Sequence, residues 1–186
     1  MKKILVTSFA ASILAAGAWA QTSEVGKRAE NQQDRIAQGV QSGQLTAGRT
    51  ANLEKKEAAV NQEVRTDRAL NGGHLTPQEK RIVNRQQNNV SNQIYQDKHN
   101  AATQHYGNNE VDQRRENQQD RIANGISSGK LTAGQAARLE KGQAAINQET
   151  RTDRSLNGGH LTPGEKQQIN KQQNQASRHI YHAKHS

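Results

Sequence analysis

The chain has 186 residues, no cysteine, 3% aromatic residues and a formal net charge of +9. The lack of cysteine excludes disulfides, thiolate metal sites and cysteine nucleophiles. Large apolar residues are so scarce that a broad globular core is excluded as well, and any fold must be thin, helical and modest in stability.

At the amino end, Lys2 and Lys3 precede an apolar, alanine-rich run from Ile4 to Gly17, and Ala18-Trp19-Ala20 then supplies a small-x-small site. This is the pattern of a secretory signal cleaved after Ala20. The run is too short for a membrane span, and no cysteine follows it to accept a lipid anchor. The expectation is a periplasmic or secreted chain starting at Gln21. That chain carries 24 basic and 17 acidic residues, a net charge of +7.

The rest of the sequence holds one unit twice. Glu24–Asn100 aligns without a gap with Glu110–Ser186, offset by 86 residues, and 50 of the 77 positions are identical. Within the first copy, Ile36 and Val40 predict one helix, Leu53, Val60 and Val64 a second, and Val83, Val90 and Ile94 a third, all at helical spacing. Ser42-Gly43-Gln44-Leu45-Thr46 and Gly72-Gly73-His74-Leu75-Thr76 punctuate them. In each turn Gly supplies a left-handed helix end, Leu a staple and Thr the next N-cap. Ala101–Asn109 forms a polar linker that can bend or stay helical. The second copy repeats the pattern with Ile122 and Ile126, Leu139 and Ile146, and Ile169, Ala176 and Ile180. Thr76-Pro77-Gln78-Glu79 and Thr162-Pro163-Gly164-Glu165 read as capping boxes with Pro at the first helical position. The predicted fold is all-α: two tandem copies of a three-helix unit (21–100 and 110–186) joined by a short linker (101–109), each held by a narrow seam.

Candidate chemistry is sparse. The Gly-x-Leu-Thr-x-x-Glu turn resembles the second half of an EF-hand loop, which makes Asp67, Asn71 and Glu79, with Asp153, Asn157 and Glu165 in the second copy, candidate calcium ligands. Neither register of the motif supplies the full oxygen set, and a degenerate loop or a convergent helix hairpin fits the same residues. His179, His182 and His185 stand at three-residue steps on the last helix, a spacing at which two imidazoles can share Zn²⁺, Cu²⁺ or Ni²⁺. A histidine-rich helix end with no function has the same spacing. His74 and His160 read as solvated turn residues. Glu63 with Asp67, and Glu149 with Asp153, lie four apart on one helical face among Arg65, Arg68, Arg151 and Arg154. A surface charge network accounts for them better than acid–base catalysis. No nucleophile elbow, phosphate loop or His-Glu-x-x-His is present, and the expectation is a protein that is not an enzyme.

At Ser91-Asn92-Gln93-Ile94-Tyr95-Gln96-Asp97-Lys98-His99 and Ser177-Arg178-His179-Ile180-Tyr181-His182-Ala183-Lys184-His185, the chain resembles a class of small exported bacterial helical proteins. Members carry Gly-x-Leu-Thr turns and close each unit with Ser-x-x-Ile-Tyr-x-x-Lys-His. The resemblance implies an architecture and a compartment rather than an activity. The aspartate usual before the turn glycine is Gly72 and Gly158 here, which weakens a cation role. Leu131-Thr132-Ala133-Gly134-Gln135 also resembles the Leu-Thr-x-x-Gln motif of Spy/CpxP-type periplasmic chaperones. The counterpart Leu45-Thr46-Ala47-Gly48-Arg49 departs from it at the last position.

Together these features lead to an expected binding or stress-protective role toward acidic or unfolded polypeptides or anionic envelope components. Export excludes intracellular nucleic acid, and three tyrosines are too few for a base-stacking platform. The alternatives are a divalent-cation protein binding calcium or zinc, and a structural envelope or matrix component.

Overall fold

The computed structural model describes residues 23–186, so the expected signal segment lies outside the described residues. Those residues form six helices: α1 (Glu24–Gln41), α2 (Ala47–Leu70), α3 (Pro77–Lys98), α4 (Glu110–Ser127), α5 (Ala133–Leu156) and α6 (Pro163–Lys184). None is long and apolar enough to cross a membrane.

The helix ends follow local chemistry. Thr76 and Thr162 accept the N–H of Glu79 and Glu165, whose carboxylates return to the threonine N–H, and Thr132 pairs likewise with Gln135. Such reciprocal bonds satisfy amides the helix cannot reach. Thr46 departs from its three counterparts, because its side chain accepts no N–H. The third residue of α2 is Arg49, a pure donor that cannot complete a capping box. It turns to the linker instead, donating to Asn100 and to the Ala102 carbonyl. Gly43 closes α1 at φ 69°, and the Leu45 N–H then folds back to the Gly39 carbonyl at 2.8 Å. That return tucks Leu45 into the core, where it is 1% exposed.

Within each unit the third helix is tied to the first by buried glutamines. Gln32 donates to the Gln87 carbonyl at 2.6 Å and Gln87 donates to the Val25 carbonyl at 2.9 Å. Gln118, Gln173 and Val111 repeat the clasp at 2.6 and 2.8 Å.

The two units are not beads on a linker, because two helices of each pack against their own copies: α2 on α5 and α1 on α4. Glu54 feels the charge of Glu140, its counterpart, and further along α2 Ala58 comes near Gly134, which precedes Glu140. The pairing therefore runs antiparallel about a point near Leu53 and Glu54. On the neighbouring pair, Gln41 donates to Asn124 at 3.1 Å. Homologous helices meeting antiparallel is the signature of an isologous, two-fold interface, here built within one chain.

One core cluster accordingly draws on both copies, with Ile36, Val40, Leu53 and Ile94 meeting Ile122, Ile126 and Ile180. Each unit keeps a smaller cluster of its own, around Val60, Val64 and Val83 in the first and around Val111, Ile146 and Ile169 in the second. Two expected seam residues, Leu139 and Ala176, are only partly buried. Ala176 replaces Val90 and leaves α5 and α6 less filled there. The linker is non-helical and pinned: the Gln104 N–H donates to the Gly43 carbonyl at 2.7 Å, and the Arg115 guanidinium lies 5.5 Å from the Tyr106 ring centre.

Candidate functional site

The turn residues suspected of binding calcium are engaged with one another. Asn71, the C-cap of α2, donates to both oxygens of Glu79 at 2.9 and 3.0 Å, and one of those oxygens accepts the Thr76 N–H at 2.7 Å. These bonds, the backbone one foremost, hold the Glu79 carboxyl below the usual carboxylate range. Asp67 is pushed up by desolvation and then by the nearby Glu79 and Glu63 charges. Asn157, Glu165 and Asp153 repeat the arrangement. The clasp joins the end of one helix to the start of the next. Among the described residues no three His, Cys, Asp or Glu side chains gather as a metal-binding group.

The arginines expected around Glu63 and Asp67 point elsewhere: Arg65 donates to Gln62, and Arg68 to Ser23. Glu63 instead accepts from Gln86 at 2.7 Å, and Glu149 from Gln172 at 2.7 Å. The four-residue spacing put the carboxylates on one face correctly, but the α3 and α6 glutamines lie closer across the hairpin. In the second unit Arg154 is drawn to Asp112 of α4 at 3.1 Å.

The Ser-x-x-Ile-Tyr-x-x-Lys-His ends turn out to be contact surfaces between the third helix and the first. Ser91 accepts from Arg35 at 2.6 Å, Ile94 enters the shared core, and Lys98 donates to the Arg35 carbonyl at 3.4 Å. His99 stacks on Tyr95 with ring centres 4.1 Å apart, its Nδ1 2.7 Å from the Tyr95 carbonyl. His185 does the same on Tyr181 at 4.3 Å. His185 thus belongs to a helix end present in both copies, whereas His179 and His182 belong to a groove.

That groove and its counterpart are two concave features among the described residues. The first, about 660 Å³, lies between α2 and α3 over Leu53 and Ala59, rimmed by Arg49, Lys55, Lys56, Gln93 and Asp97. The second, about 380 Å³, lies between α5 and α6 over Leu139 and Ala176, rimmed by Gln135, Arg138, His179 and His182. The two occupy matching places in the repeat: Leu53 corresponds to Leu139, Arg49 to Gln135 and Gln93 to His179. The leucine of the floor has been kept, while on the rim Lys56 gives way to Gly142, and Gln93 and Gln96 to His179 and His182. In the first groove Arg49 faces Asp97 at 3.8 Å, which leaves Lys55 and Lys56 as its exposed cations.

Behind the grooves lies a polar layer that sequence reasoning missed. Glu54 and Glu57 of α2 and Glu140 of α5 are each 0% exposed. Gln33 donates to Glu54 at 3.0 Å and Gln119 to Glu140 at 2.9 Å. Desolvation pushes the Glu54 and Glu140 carboxyls up to about 8 and Glu57 to about 7. A signal existed: Thr50, Leu53, Glu57, Val60 and Val64 alternate three and four apart, the spacing of a coiled-coil seam, with Glu57 inside it.

No known protein family, curated protein or solved structure matches the chain.

Proposed function

We propose that the protein is a non-catalytic, exported binding protein with a chaperone-like, stress-protective role, which holds acidic or unfolded polypeptide segments in its paired grooves. The observation that carries this reading is the occurrence of the same open groove twice, with a leucine floor and a cationic rim. An apolar floor gives non-specific contact area, and Lys55, Lys56 and Arg138 favour anionic segments. Two grooves on one chain raise avidity for a long segment that spans both. Anionic envelope components have the same charge complementarity and are the second class of partner. The test is suppression of aggregation of a denatured acidic protein at near-stoichiometric ratio, at low and high salt. Suppression that weakens with salt supports the reading, and inertness toward several clients defeats it.

His179 and His182 on one rim favour a second reading, a Zn²⁺ or Cu²⁺ site within the α5–α6 groove. Calorimetric titration of the protein against its His179→Gln variant tests it: identical traces remove the site.

A further inference from the structure

We propose that the seam between α2 and α5 is a proton-held latch: the two units stay closed while the carboxyls of Glu54, Glu57 and Glu140 carry protons, and part as those carboxyls ionise. This inference does not rest on the groove-binding reading.

The geometry carries it. Glu54 and Glu140 lie near the point about which the two units are related, where Glu54 feels the charge of Glu140 between α2 and α5, and Glu57 stands one turn from Glu54 on α2; all three are fully buried. Gln33 and Gln119 supply one donor each. The second oxygen of Glu54, both oxygens of Glu57, the second oxygen of Glu140 and the side-chain oxygen of Gln143 are buried with no donor. Such a layer holds too many acceptors, and unpaired buried acceptors are costly. An ionised carboxylate only accepts, whereas a protonated one donates, so protons supply the missing donors within the layer.

The neighbours offer no substitute for those protons. From α1 comes Gln33, from α4 Gln118 and Gln119, and from α5 Glu140 and Gln143, all uncharged apart from the third carboxyl itself. Glu54 is acted on by the charges of Glu57 and Glu140, both of its own sign. Beyond Glu140 stands the linker's Tyr106, with Arg115, Glu116 and Asp120 of α4 around the phenol. Arg115 is already paired with Asp112 at 2.8 Å. Lys55, Lys56 and Lys141 on the same two helices face solvent. Past Gln143 the α5–α6 groove carries Arg138, His179 and His182.

The sign follows from linkage. A buried acid whose folded pKa is raised binds its proton more tightly in the closed form than in the open one. Closure is therefore strongest below the ordinary carboxyl range and weakens as pH rises from about 4.5 through about 7 and 8. The duplicated unit already holds one neutral version of the site, because Gln143 stands where the first copy has Glu57.

The test is amide hydrogen exchange of the intact protein between pH 5 and pH 9, corrected for the intrinsic rate and read in α2 and α5. Protection is expected to fall by up to about tenfold per pH unit for each carboxyl that ionises. Glu57→Gln, which copies Gln143, should flatten that slope, and Glu54→Gln with Glu140→Gln added should abolish it. If the triple variant does not fold, Glu57→Gln alone decides, since a slope equal to that of the parent overturns the latch. This substitution leaves the groove histidines untouched. A second variant pairs Ala58→Cys with Gly134→Cys, where a Cβ on Gly134 would stand 4.0 Å from that of Ala58, within disulfide reach. Oxidised, it should keep α2 and α5 protected across the range. A parent protein that shows no pH dependence, or a locked variant that loses protection as the parent does, overturns the proposal.

Discussion

Gln32 and Gln87 hold α1 and α3 together by a buried exchange in which the first side chain donates to the second residue's carbonyl at 2.6 Å. The second side chain in turn donates to the Val25 carbonyl at 2.9 Å. In a chain so poor in large apolar residues, interhelical contact that another protein would entrust to leucine is made by amides. Replacing Gln87 with alanine removes the donor and leaves space at a fully packed site. We expect it to lower the free energy of urea unfolding by about 1–3 kcal/mol, and Gln173→Ala to do the same.

Two classes of helical glycine should respond to alanine with opposite signs. A Cβ on Gly39 would meet Leu45 at 2.6 Å, and one on Gly125 would meet Leu131 at 2.6 Å, both leucines being held in the core. Overpacking of that kind costs about 1–3 kcal/mol, more than the roughly 1 kcal/mol that alanine returns in helix propensity. Gly142 lies in α5 with nothing within 4 Å of an added Cβ. Thermal melting should therefore show Gly39→Ala destabilised and Gly142→Ala stabilised, the latter by about 1 kcal/mol.

The turn clasp predicts an acid-side pH dependence opposite in sign to that of the buried layer. The Glu79 carboxyl is held down by the Thr76 N–H and Asn71. Its contribution is present above the ordinary carboxyl range and is lost as pH falls through its depressed folded value. Glu79→Ala should lower the melting temperature at pH 7 and have a smaller effect near pH 3. Equal effects at both would show that its charge is irrelevant to the clasp.

For the groove between α2 and α3, Lys55→Glu with Lys56→Glu reverses the exposed rim charge without touching the floor at Leu53. We expect unchanged helicity by circular dichroism and a several-fold loss of affinity for acidic segments at low salt. The difference should shrink as salt screens the pair beyond a Debye length of about 8 Å.

Much of the secondary structure was legible in the sequence, because it depends on local rules. Gly43 and Gly73 end helices since only glycine takes positive φ without strain. Thr76 and Thr162 begin them since a hydroxyl three residues before a glutamate satisfies free amides. The apolar spacing located Ile36, Leu53, Val83 and Ile94 in the core for the same reason. The grooves were not legible, and of the buried carboxyls only Glu57 left a trace, in the three-and-four spacing of its seam. Glu54 and Glu140 look like surface residues by type, and only knowledge of the facing surface shows that they are covered. His185 looked like a partner of His179 and His182 by spacing, but the Tyr181 ring and carbonyl claim it.

The sequence by itself determined six helices, their ends and their duplication, because capping, glycine conformation and apolar period act over a few residues. Tertiary structure decided that the two copies close on each other, α2 along α5 and α1 along α4, into one body with a shared core. Each unit alone buries only a small apolar cluster of its own. The copies therefore complete one another, and that mutual burial encloses the three carboxyls and leaves the two grooves open on the outside.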